Sequence, residues 1–400
     1  MKAARANPTE FQRKLARKNA EEVFLHLLSA DDAWRELQAK VDLLRSETKP
    51  KGRPDDAMLA QLQQKKLELQ AAEVELAKLT SERDLLLAKV PNPPDDNVPD
   101  GVSDEDALVV KEVGEKTTFS FTPKDHLELG NFDMERGAKL SGARFTYRCG
   151  KSALLELALY RYAIDTLVSK GFTLVLPPVM VREEAMYGTG FLPTEESNLY
   201  KVEPDGLFLT GTSEVALAGL HQGEILDPES LPLKYAGYST CFRREAGAAG
   251  KDTRGIVRLH QFDKVEMFIY CHPEESDAIH SYILGIEEEI VRGLGIPYRV
   301  VLTAAGDLGP SAAKKYDIEA WVPSQGKYRE ITSCSNTTSY QARRLQIRSR
   351  YESGTNYLHT LNGTAMTARF MVALLENFQD EKGRVGVPPV LLPFGAPEYV

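Results

Sequence analysis

The sequence predicts an α+β protein: an N-terminal antiparallel coiled-coil hairpin, followed by a larger domain in which helices pack around a mainly antiparallel sheet. Three observations predict this class. Two heptad-patterned segments lie between about residues 20 and 90, a proline-rich stretch follows them, and beyond it several strand-like runs follow one another with no helix between them. The expected domain boundaries are 1–100 and 101–400.

The two N-terminal segments advance in alternating steps of four and three, which is the spacing of a coiled-coil seam. The first contributes Val23, Leu27, Ala30, Trp34, Leu37, Val41 and Leu44, and the second contributes Met58, Leu62, Lys65, Leu69, Ala72, Leu76, Leu79, Arg83 and Leu86. Because a Pro/Gly turn at 49–54 separates them, the helices are expected to fold back on each other. The second helix, from Asp55 to about Val90, would be roughly 50 Å long. A seam that only mediates oligomerisation is the alternative, although the short turn favours pairing within the chain.

The stretch 90–101, with four prolines, opposes both helix and sheet continuation and is interpreted as the domain boundary. After it, the strand-like runs are 117–121, 172–176, 207–210, 241–245, 258–268, 298–303 and 316–321. The helical runs are 153–169, 213–221, 274–294 and 367–378. Strands that succeed one another directly favour an antiparallel sheet over a doubly wound parallel one.

Composition narrows the class of protein. A chain of 400 residues with 42% hydrophobic content can bury a large core, and no apolar run approaches the ~18 to 20 residues of a membrane span. The N-terminal residues lack the apolar core of a signal peptide, so a cytoplasmic location without a membrane partner is expected. The net charge of −9 argues against bulk nucleic-acid affinity and favours local contact patches. No CxxC pair occurs, which argues against a disulfide framework and a thiolate zinc site; the four cysteines are Cys149, Cys241, Cys271 and Cys334.

The run 258–268 would place an aromatic residue among charges on one face of a strand, because side chains alternate with a period of two. That face would carry Arg258, His260, Phe262, Lys264, Glu266 and Phe268, whereas the odd positions are mostly core-like. Arg243 and Glu245 would share a face upstream, and 247–255 has the composition of a hairpin loop. A solvated charged face is the ordinary alternative. Phe262 favours a ligand surface, on which it could stack while Arg243 and Arg258 neutralise phosphates.

Two further clusters carry candidate chemistry. In 327–336, at the end of a predicted strand, Glu330 and Ser333 could hold a hydrated Mg²⁺ through oxygen ligands, although a Glu and a Ser at this spacing commonly have no metal role. The stretch 362–370 is interpreted as a loop of small residues that enters a helix. Arg369 would then lie on the first helical turn, where a cation opposes the helix dipole, so it could serve a ligand or be a plain solvated arginine. No P-loop and no GxGxxG turn is present.

Together these segments resemble the bacterial seryl-tRNA synthetases, a family of class II aminoacyl-tRNA synthetases, over nearly the whole chain. The matching pieces are 171–178 (the first, dimer-forming motif), 210–214, 242–245 with 260–266 (the second motif), 330–333, and 362–369 (the third motif). The sequence departs from the family at two places. One residue fewer than usual separates 362–364 from Arg369, and the chain is expected to lack part of the family's short N-terminal segment.

The resemblance implies ATP-dependent ligation of L-serine to serine tRNA, and also to selenocysteine tRNA, through a seryl-adenylate. It implies a class II catalytic domain at 101–400, a homodimer, Mg²⁺ without zinc, and an N-terminal hairpin that grips the long variable arm of the tRNA. Two alternatives stay open at this stage. The chain could be a synthetase paralogue that supplies seryl-tRNA to a specialised pathway, or a tRNA-binding paralogue without catalysis.

The resemblance also implies roles for individual residues. Arg243 would contact the α-phosphate, Phe262 and Arg369 would enclose the adenine, and Arg258 would contact the terminal phosphates. The implied ATP-binding set is Arg243, Arg244, Glu245, Arg258, Leu259, Phe262, Glu330, Ile331, Thr332, Ser333 and Arg369, of which Arg243, Glu330 and Arg369 are the catalytic residues and Glu330 and Ser333 the Mg²⁺ ligands. The implied serine pocket comprises Thr212, Ser213, Glu214, Glu266 and Thr364. A pocket that hydrogen-bonds the serine hydroxyl rejects alanine, which leaves a buried polar group unpaired.

Overall fold

The computed structural model describes residues 1–49, 55–246, 254–352 and 354–400. These residues divide into two compact units, Met1–Pro93 and Pro94–Val400. The predicted hairpin turn, apart from its first residue, and the predicted loop, apart from its last two residues, lie outside the described residues. Among the described helices, none is both long and apolar enough to cross a membrane.

The N-terminal unit is helical. Its helices are α1 (Lys2–Ala6), α2 (Pro8–Ala16), α3 (Glu21–Glu47) and α4 (Asp56–Lys89). Asp55 caps α4, because its side chain accepts a hydrogen bond of 2.8 Å from the backbone N–H of Met58. The two long helices expected from the heptads are therefore confirmed.

Helices α3 and α4 run antiparallel and pack along the predicted seam. Trp34 Nε1 donates to Thr80 Oγ1 at 2.9 Å near one end, and Lys65 Nζ lies 2.8 Å from Glu47 Oε2 near the other. The apolar seam includes Val41, Leu44, Ala72 and Leu76, all buried. The charged seam position Arg83 lies 4.0 Å from the centre of the Trp34 ring, so a cation–π contact fills that place. The antiparallel coiled-coil hairpin is confirmed, and its seam packs within the chain.

The second unit is an α+β domain. Its helices are α5 (His126–Leu129), α6 (Met134–Ser141), α7 (Gly150–Ser169), α8 (Glu183–Thr189), α9 (Glu214–Gly219), α10 (Ser276–Gly293), α11 (Tyr340–Arg344) and α12 (Arg369–Asn377). Its strands are β1 (Leu108–Val113), β2 (Phe132–Asp133), β3 (Tyr147–Arg148), β4 (Thr173–Val175), β5 (Met180–Arg182), β6 (Tyr200–Val202), β7 (Leu207–Leu209), β8 (Ile225–Leu226), β9 (Leu233–Phe242), β10 (Gln261–Cys271), β11 (Tyr298–Leu302), β12 (Lys314–Val322), β13 (Lys327–Asn336), β14 (Arg348–Tyr351), β15 (Gly354–Tyr357) and β16 (His359–Thr367).

The main sheet confirms the predicted antiparallel class. Its strand order is β1-β11-β12-β13-β16-β10-β9-β4, and each neighbouring pair is antiparallel except β4 with β9. Helices α7, α10 and α12 supply buried residues such as Leu159, Ile283 and Leu374 to the core against one face. A smaller cluster covers part of the other face and contains Phe268, Tyr270 and Leu217.

Strand β10 is buried on both faces, which rules out the solvated face that ordinary alternation would allow. Its odd positions Val265, Met267 and Ile269 belong to the main core, as predicted. On the even face, Lys264 is 5% exposed, Glu266 1% and Phe268 0%. The charged face therefore lies inside the protein, where charges need partners.

Three predicted strands were wrong or began or ended at the wrong residue. The run 117–121 forms no strand; at its first residue, Trp321 Nε1 donates to the Thr117 carbonyl at 3.2 Å, and Thr117 Oγ1 donates to Asn377 at 2.7 Å. The sheet edge is instead β1, which the prediction lacked. In 241–245 the strand ends at Phe242, and Glu245 has φ +52°, so Arg243 and Glu245 do not share a strand face. Likewise, Arg258 precedes β10.

The predicted loop at 362–370 is also wrong, because 359–367 form the central strand β16. Its small residues are explained by close helix packing: a Cβ on Gly363 would lie 2.4 Å from Ile283 Cγ2 on α10. The pairing with β10 matches Glu266 to Thr364 and Val265 to Met366, so Ala365 is bulged. Helix α12 begins at Arg369, two residues later than predicted, and Arg369 lies on its first turn, as predicted.

Candidate active site

A cavity of about 290 Å³ lies against the main sheet and is lined by strands β10, β13 and β16 together with the segments that flank β9 and β10. Its lining comprises Phe191, Thr212, Glu214, Arg243, Glu245, Ile256, Val257, Arg258, Leu259, Phe262, Lys264, Glu266, Lys315, Glu330, Ile331, Thr332, Ser333, Ser335, Asn362, Thr364, Thr367, Ala368 and Arg369. Because these strands are central in the sheet, the cavity has a rigid floor. We call the side with Glu266 and Thr364 the serine end, and the side with Arg243, Arg258, Phe262, Glu330 and Arg369 the nucleotide end, after the ligands that the sequence leads us to expect at each side.

Arg243 is held at the point where β9 ends. Its backbone N–H donates to the His260 carbonyl at 2.9 Å, and its Nε donates to the Gly211 carbonyl at 3.1 Å. The guanidinium carbon lies 5.3 Å from the centre of the Phe262 ring. Two backbone contacts and a cation–π contact therefore fix this cation beside an aromatic face, an arrangement suited to a phosphate next to a planar base.

Arg258 and Glu245 form an ion pair. In the sequence they lie on either side of 247–253, which are outside the described residues. The Glu245 side chain is 11% exposed and the Arg258 side chain 28%. The left-handed backbone at Glu245 turns its side chain away from the strand direction, which sequence alternation could not foresee. The pair places one cation and one carboxylate at the rim of the nucleotide end.

The serine end is a buried polar network. Glu266 forms an ion pair with Lys264, and its two carboxylate oxygens also accept hydrogen bonds from Asn362 Nδ2 at 3.2 Å and Thr364 Oγ1 at 3.4 Å. Thr212 is 2% exposed, and its hydroxyl accepts from the backbone N–H of Glu214 at 3.2 Å. A small polar ligand that enters this end meets oriented donors and acceptors and little water.

Glu214 adjoins this network and is held by two amides. Its Oε2 accepts from Asn362 Nδ2 at 2.9 Å and its Oε1 from Gln341 Nε2 at 2.7 Å. Burial, reinforced by the nearby Glu266 carboxylate, raises the pKa of Glu214 to about 7. Burial also raises the pKa of Glu266, although Lys264 opposes the shift. Asn362 thus links two buried carboxylates whose pKa values are both raised.

Glu330 behaves in the opposite way at the nucleotide end. Arg369 Nη1 lies 3.2 Å from Glu330 Oε2 and also donates to the Glu330 carbonyl at 3.3 Å. Desolvation in the cavity would raise the pKa of Glu330, but the charges of Arg369 and Lys315 outweigh it and hold that pKa below its ordinary value. Lys315 in turn lies 3.0 Å from Asp317. An ionised carboxylate next to two cations is thus available beside the cavity.

Most of the predicted site residues come together in this cavity, and two lie outside its lining. Arg244 is exposed, and its backbone N–H donates to the Asn198 carbonyl at 2.9 Å. Ser213 is buried, and its hydroxyl donates to the Gly237 carbonyl at 3.3 Å. Their assignments to ATP and serine stay predictions, as do the roles of the residues that line the cavity.

Several residues of this region were given no role by sequence reasoning, and four of them are described here. Asn362 bridges Glu214 and Glu266, and its position two residues before Thr364 on one strand was a usable signal. Gln341 holds Glu214 from α11, and Lys315 and Phe191 line the cavity. These three come from distant parts of the chain, so that only the tertiary fold brings them to the site.

The described residues contain no group of three or more His, Cys, Asp or Glu side chains arranged to hold a metal ion. The cysteines carry free thiols, and Cys241, Cys271 and Cys334 are buried.

Comparison with known proteins gives matches to both parts of the chain. Residues 1–94 match the family described as "Seryl-tRNA synthetase N-terminal domain", and residues 200–378 match "tRNA synthetase class II core domain (G, H, P, S and T)". Among curated relatives, the Serine--tRNA ligase of Thermobifida fusca is 48% identical, over 98% of this chain and 96% of that protein.

Solved structures give the same result. The seryl-tRNA synthetase from Pyrococcus horikoshii, complexed with ATP, has a TM-score of 0.94 at 40% identity and covers 100% of this chain and 98% of its own. The cytoplasmic Serine-tRNA ligase from Naegleria fowleri, in complex with AMP, has a TM-score of 0.86 at 33% identity and covers 98% and 95% of the two chains. The similarity therefore extends over the whole length of the chain.

Proposed function

The chain belongs to the seryl-tRNA synthetase family, and from this premise we propose that it ligates L-serine to serine tRNA, with ATP as the energy source and a seryl-adenylate as the intermediate. The observation that carries the proposal is the pairing, in one cavity, of a buried hydroxyl-binding network at Glu266 and Thr364 with an arginine–aromatic pair at Arg243 and Phe262. The complex of the Pyrococcus horikoshii relative with ATP supports the assignment of the nucleotide.

ATP would occupy the nucleotide end. Arg243 would contact the α-phosphate, Arg258 the terminal phosphates, and Phe262 and Arg369 the two faces of the adenine. The Arg243 guanidinium already lies against the Phe262 ring, so a base stacked on the other side of the ring would bring its α-phosphate within reach of that cation. Glu245, Leu259 and the strand 330–333 would complete the site.

Serine would occupy the serine end, with Thr212, Glu214, Glu266 and Thr364 as its polar partners. Glu266 is 1% exposed, and its oxygens are already oriented by Asn362 and Thr364. Alanine lacks the hydroxyl and would leave part of this network unpaired, at a cost of about 1 to 3 kcal/mol. The pocket would therefore select serine by hydrogen bonding and not by size alone.

In the first step, a serine carboxylate oxygen attacks the α-phosphorus in line with the bond to the leaving group. The new bond gives seryl-adenylate, and the broken bond releases pyrophosphate. In the second step, a ribose hydroxyl of the terminal adenosine of the tRNA attacks the acyl carbon and releases AMP. No side chain becomes covalently attached. Arg243 supplies charge stabilisation at the phosphorus, and the rigid sheet holds the two substrates in position.

Glu330 and Ser333 fit a Mg²⁺ ion that is held mainly by the phosphates of ATP. They present a carboxylate and a hydroxyl to the cavity, which are hard oxygen ligands, and leave the remaining positions to phosphate and water. When bound, the ion would neutralise charge on the phosphates. The cations beside Glu330 keep its carboxylate ionised and so ready for this role.

The hairpin α3–α4 would bind the long variable arm of serine tRNA, with 1–100 as the tRNA-binding domain and 101–400 as the catalytic domain. Charging of selenocysteine tRNA is a further proposal that rests on the family resemblance.

We also propose that the protein forms a homodimer and is located in the cytoplasm. Exposed apolar side chains on α7 and β4 support a second copy as partner: Leu154 is 51% exposed, Leu157 59% and Leu174 41%.

The test compares adenylation with tRNA charging in a chain without the outer hairpin. The contact between Trp34 and Thr80 shows where α3 and α4 lie side by side, so a short Gly/Ser loop can replace residues 35–79. Serine-dependent exchange of pyrophosphate into ATP should be retained, whereas charging of serine tRNA should be lost. Unchanged charging would refute the role of the hairpin, and absence of exchange in the intact chain would support the non-catalytic paralogue.

A further inference from the structure

A buried histidine that does not line the cavity connects helix α12 to the segment 254–259. His126 is the first residue of α5 and is 4% exposed. Its Nε2 accepts a hydrogen bond of 3.2 Å from the backbone N–H of Ile256, and its Nδ1 lies 3.0 Å from Glu376 Oε1. The imidazole thus bridges a carboxylate on α12 and the backbone of the segment.

The directions of these hydrogen bonds follow from the chemistry of the groups. A backbone N–H can only donate, so Nε2 of His126 is the acceptor, and the hydrogen lies on Nδ1, which donates to Glu376. Glu376 is fully buried, and its oxygens also accept from the backbone N–H groups of His126 at 3.2 Å and Ser324 at 3.1 Å. With three donors around it, the carboxylate is a fixed anchor for the imidazole.

The segment that His126 holds forms part of the nucleotide end. Ile256 and Val257 line the cavity, and the Val257 carbonyl accepts from Arg369 Nε at 3.3 Å. Arg369 and Glu376 are two turns apart on α12, so this helix holds the segment directly through Arg369 and indirectly through His126. The two contacts hold the backbone of two adjacent residues, Ile256 and Val257.

The backbone approaches the imidazole so closely that a side chain has no room. Gly255 has φ +89°, and a Cβ at this position would lie 2.2 Å from His126 Nε2. Next to it, Arg254 forms a more exposed ion pair with Asp125 at 2.9 Å. The N-terminal end of α5 therefore contacts three consecutive residues of the segment.

We propose that His126 is a positioning residue for ATP: by accepting the N–H of Ile256 it fixes the part of the cavity wall that the nucleotide contacts. The inference rests on the proposed function, since it assigns ATP to that end. It predicts that substitution of His126 weakens the binding of ATP but not of serine. The serine end is formed by other elements, with Glu266 on β10 and Thr364 on β16.

Two near-isosteric substitutions separate the two hydrogen bonds of the imidazole. His126→Gln can place an amide oxygen where Nε2 was, so the acceptor for Ile256 is kept. His126→Asn can place its amide nitrogen where Nδ1 was, so the donor to Glu376 is kept and the acceptor for Ile256 is lost. The dissociation constant of ATP alone should rise about tenfold in His126→Asn and stay within about threefold in His126→Gln. The KM for serine in pyrophosphate exchange should stay within about twofold in both.

The control is Ile290→Val, which removes one buried carbon from α10 and should lower the thermal midpoint without changing either constant. Gly255→Ala tests the same contact without altering His126 and should weaken ATP binding as His126→Asn does. Parallel changes in the ATP and serine constants, or equal ATP affinity in His126→Asn and the wild type, would overturn the proposal. Because ATP binding is measured without serine, a chain that fails in serine exchange would refute the proposed function and leave this comparison intact.

Discussion

The two ends of the cavity differ in how far their polar side chains are exposed to solvent. At the serine end Glu266 is 1% exposed, Thr212 2% and Thr364 7%, and their polar atoms are bonded to one another. At the nucleotide end the Arg369 side chain is 27% exposed and the Glu330 side chain 44%. A small substrate is distinguished by groups that water cannot reach, whereas a triphosphate has to enter and its pyrophosphate has to leave.

The carboxylates reflect the same difference. Burial, with Glu266 nearby, raises the pKa of Glu214 at the serine end, whereas Arg369 and Lys315 outweigh desolvation and lower the pKa of Glu330 at the nucleotide end. Identical functional groups in one cavity are thus shifted in opposite directions by their surroundings. Substitutions that affect one end and leave the other unchanged test this division.

The largest expected effect is the loss of Arg243. Arg243→Ala should lower the rate of serine-dependent pyrophosphate exchange by about 10² to 10³, because it removes the cation aimed at the charge that develops on the α-phosphate. The matched control is Arg384→Ala, an exposed arginine that forms an ion pair with Asp380 at 3.3 Å, and its rate should stay within about twofold. A loss below about tenfold in Arg243→Ala would contradict the assignment.

The raised pKa of Glu214 at the serine end should make the free energy of unfolding depend on pH. The pKa of Glu214 is about 7 in the folded protein, above its ordinary value, so the ionised form destabilises the folded state. The stability from this group is present below about pH 4.5 and is lost as the pH rises through about 7. Between about pH 5 and pH 8 the wild type should lose roughly 1 to 3 kcal/mol of unfolding free energy relative to Glu214→Gln. Urea denaturation at both pH values measures this difference, and a constant difference would refute it.

A smaller effect is expected from removing one hydroxyl at the serine end. Thr364→Val keeps the shape but loses the donor to Glu266, so the KM for serine should rise about tenfold and the preference for serine over alanine should narrow. The KM for ATP in the same variant is the internal control and should not change. Equal changes in both constants would show that the two ends are not separate.

The smallest expected effect is at the aromatic face. Phe262→Leu should raise the KM for ATP about three- to fivefold, because it removes the ring that Arg243 and the adenine would share, while the KM for serine stays the same. Steady-state exchange kinetics at varied ATP and at varied serine measure the two constants. A rise confined to serine would place Phe262 at the other end.

Much of the fold could be predicted because it depends on local periodicity. The heptad steps from Val23 to Leu86 predicted both long helices, and the odd positions of 258–268 predicted a core face. The central strand at 359–367 was not predicted, because Asn362, Gly363 and Ala365 are poor strand formers and interrupt the run. Only the approach of Ile283 on α10 explains that composition.

The residues of the candidate site could be predicted from the sequence where charged residues cluster in one segment, as around Arg243 and Glu330. They could not be predicted where partners come from distant segments, such as Gln341, Lys315 and His126, whose contacts exist only in the folded chain. The bulge at Ala365 was also not predictable from the sequence, because it depends on how β16 pairs with β10. Thr364 faces Glu266 and Arg369 begins α12, and both residues line the cavity.

The most direct test of the account is pyrophosphate exchange into ATP with serine, threonine and alanine supplied in turn. The buried network at Glu266, Thr364 and Asn362 predicts strong exchange with serine and, because each analogue either loses the hydroxyl contact or adds a methyl group, exchange that is lower by at least about tenfold with the other two. Robust exchange with threonine or alanine, or no exchange with any of the three, would contradict it.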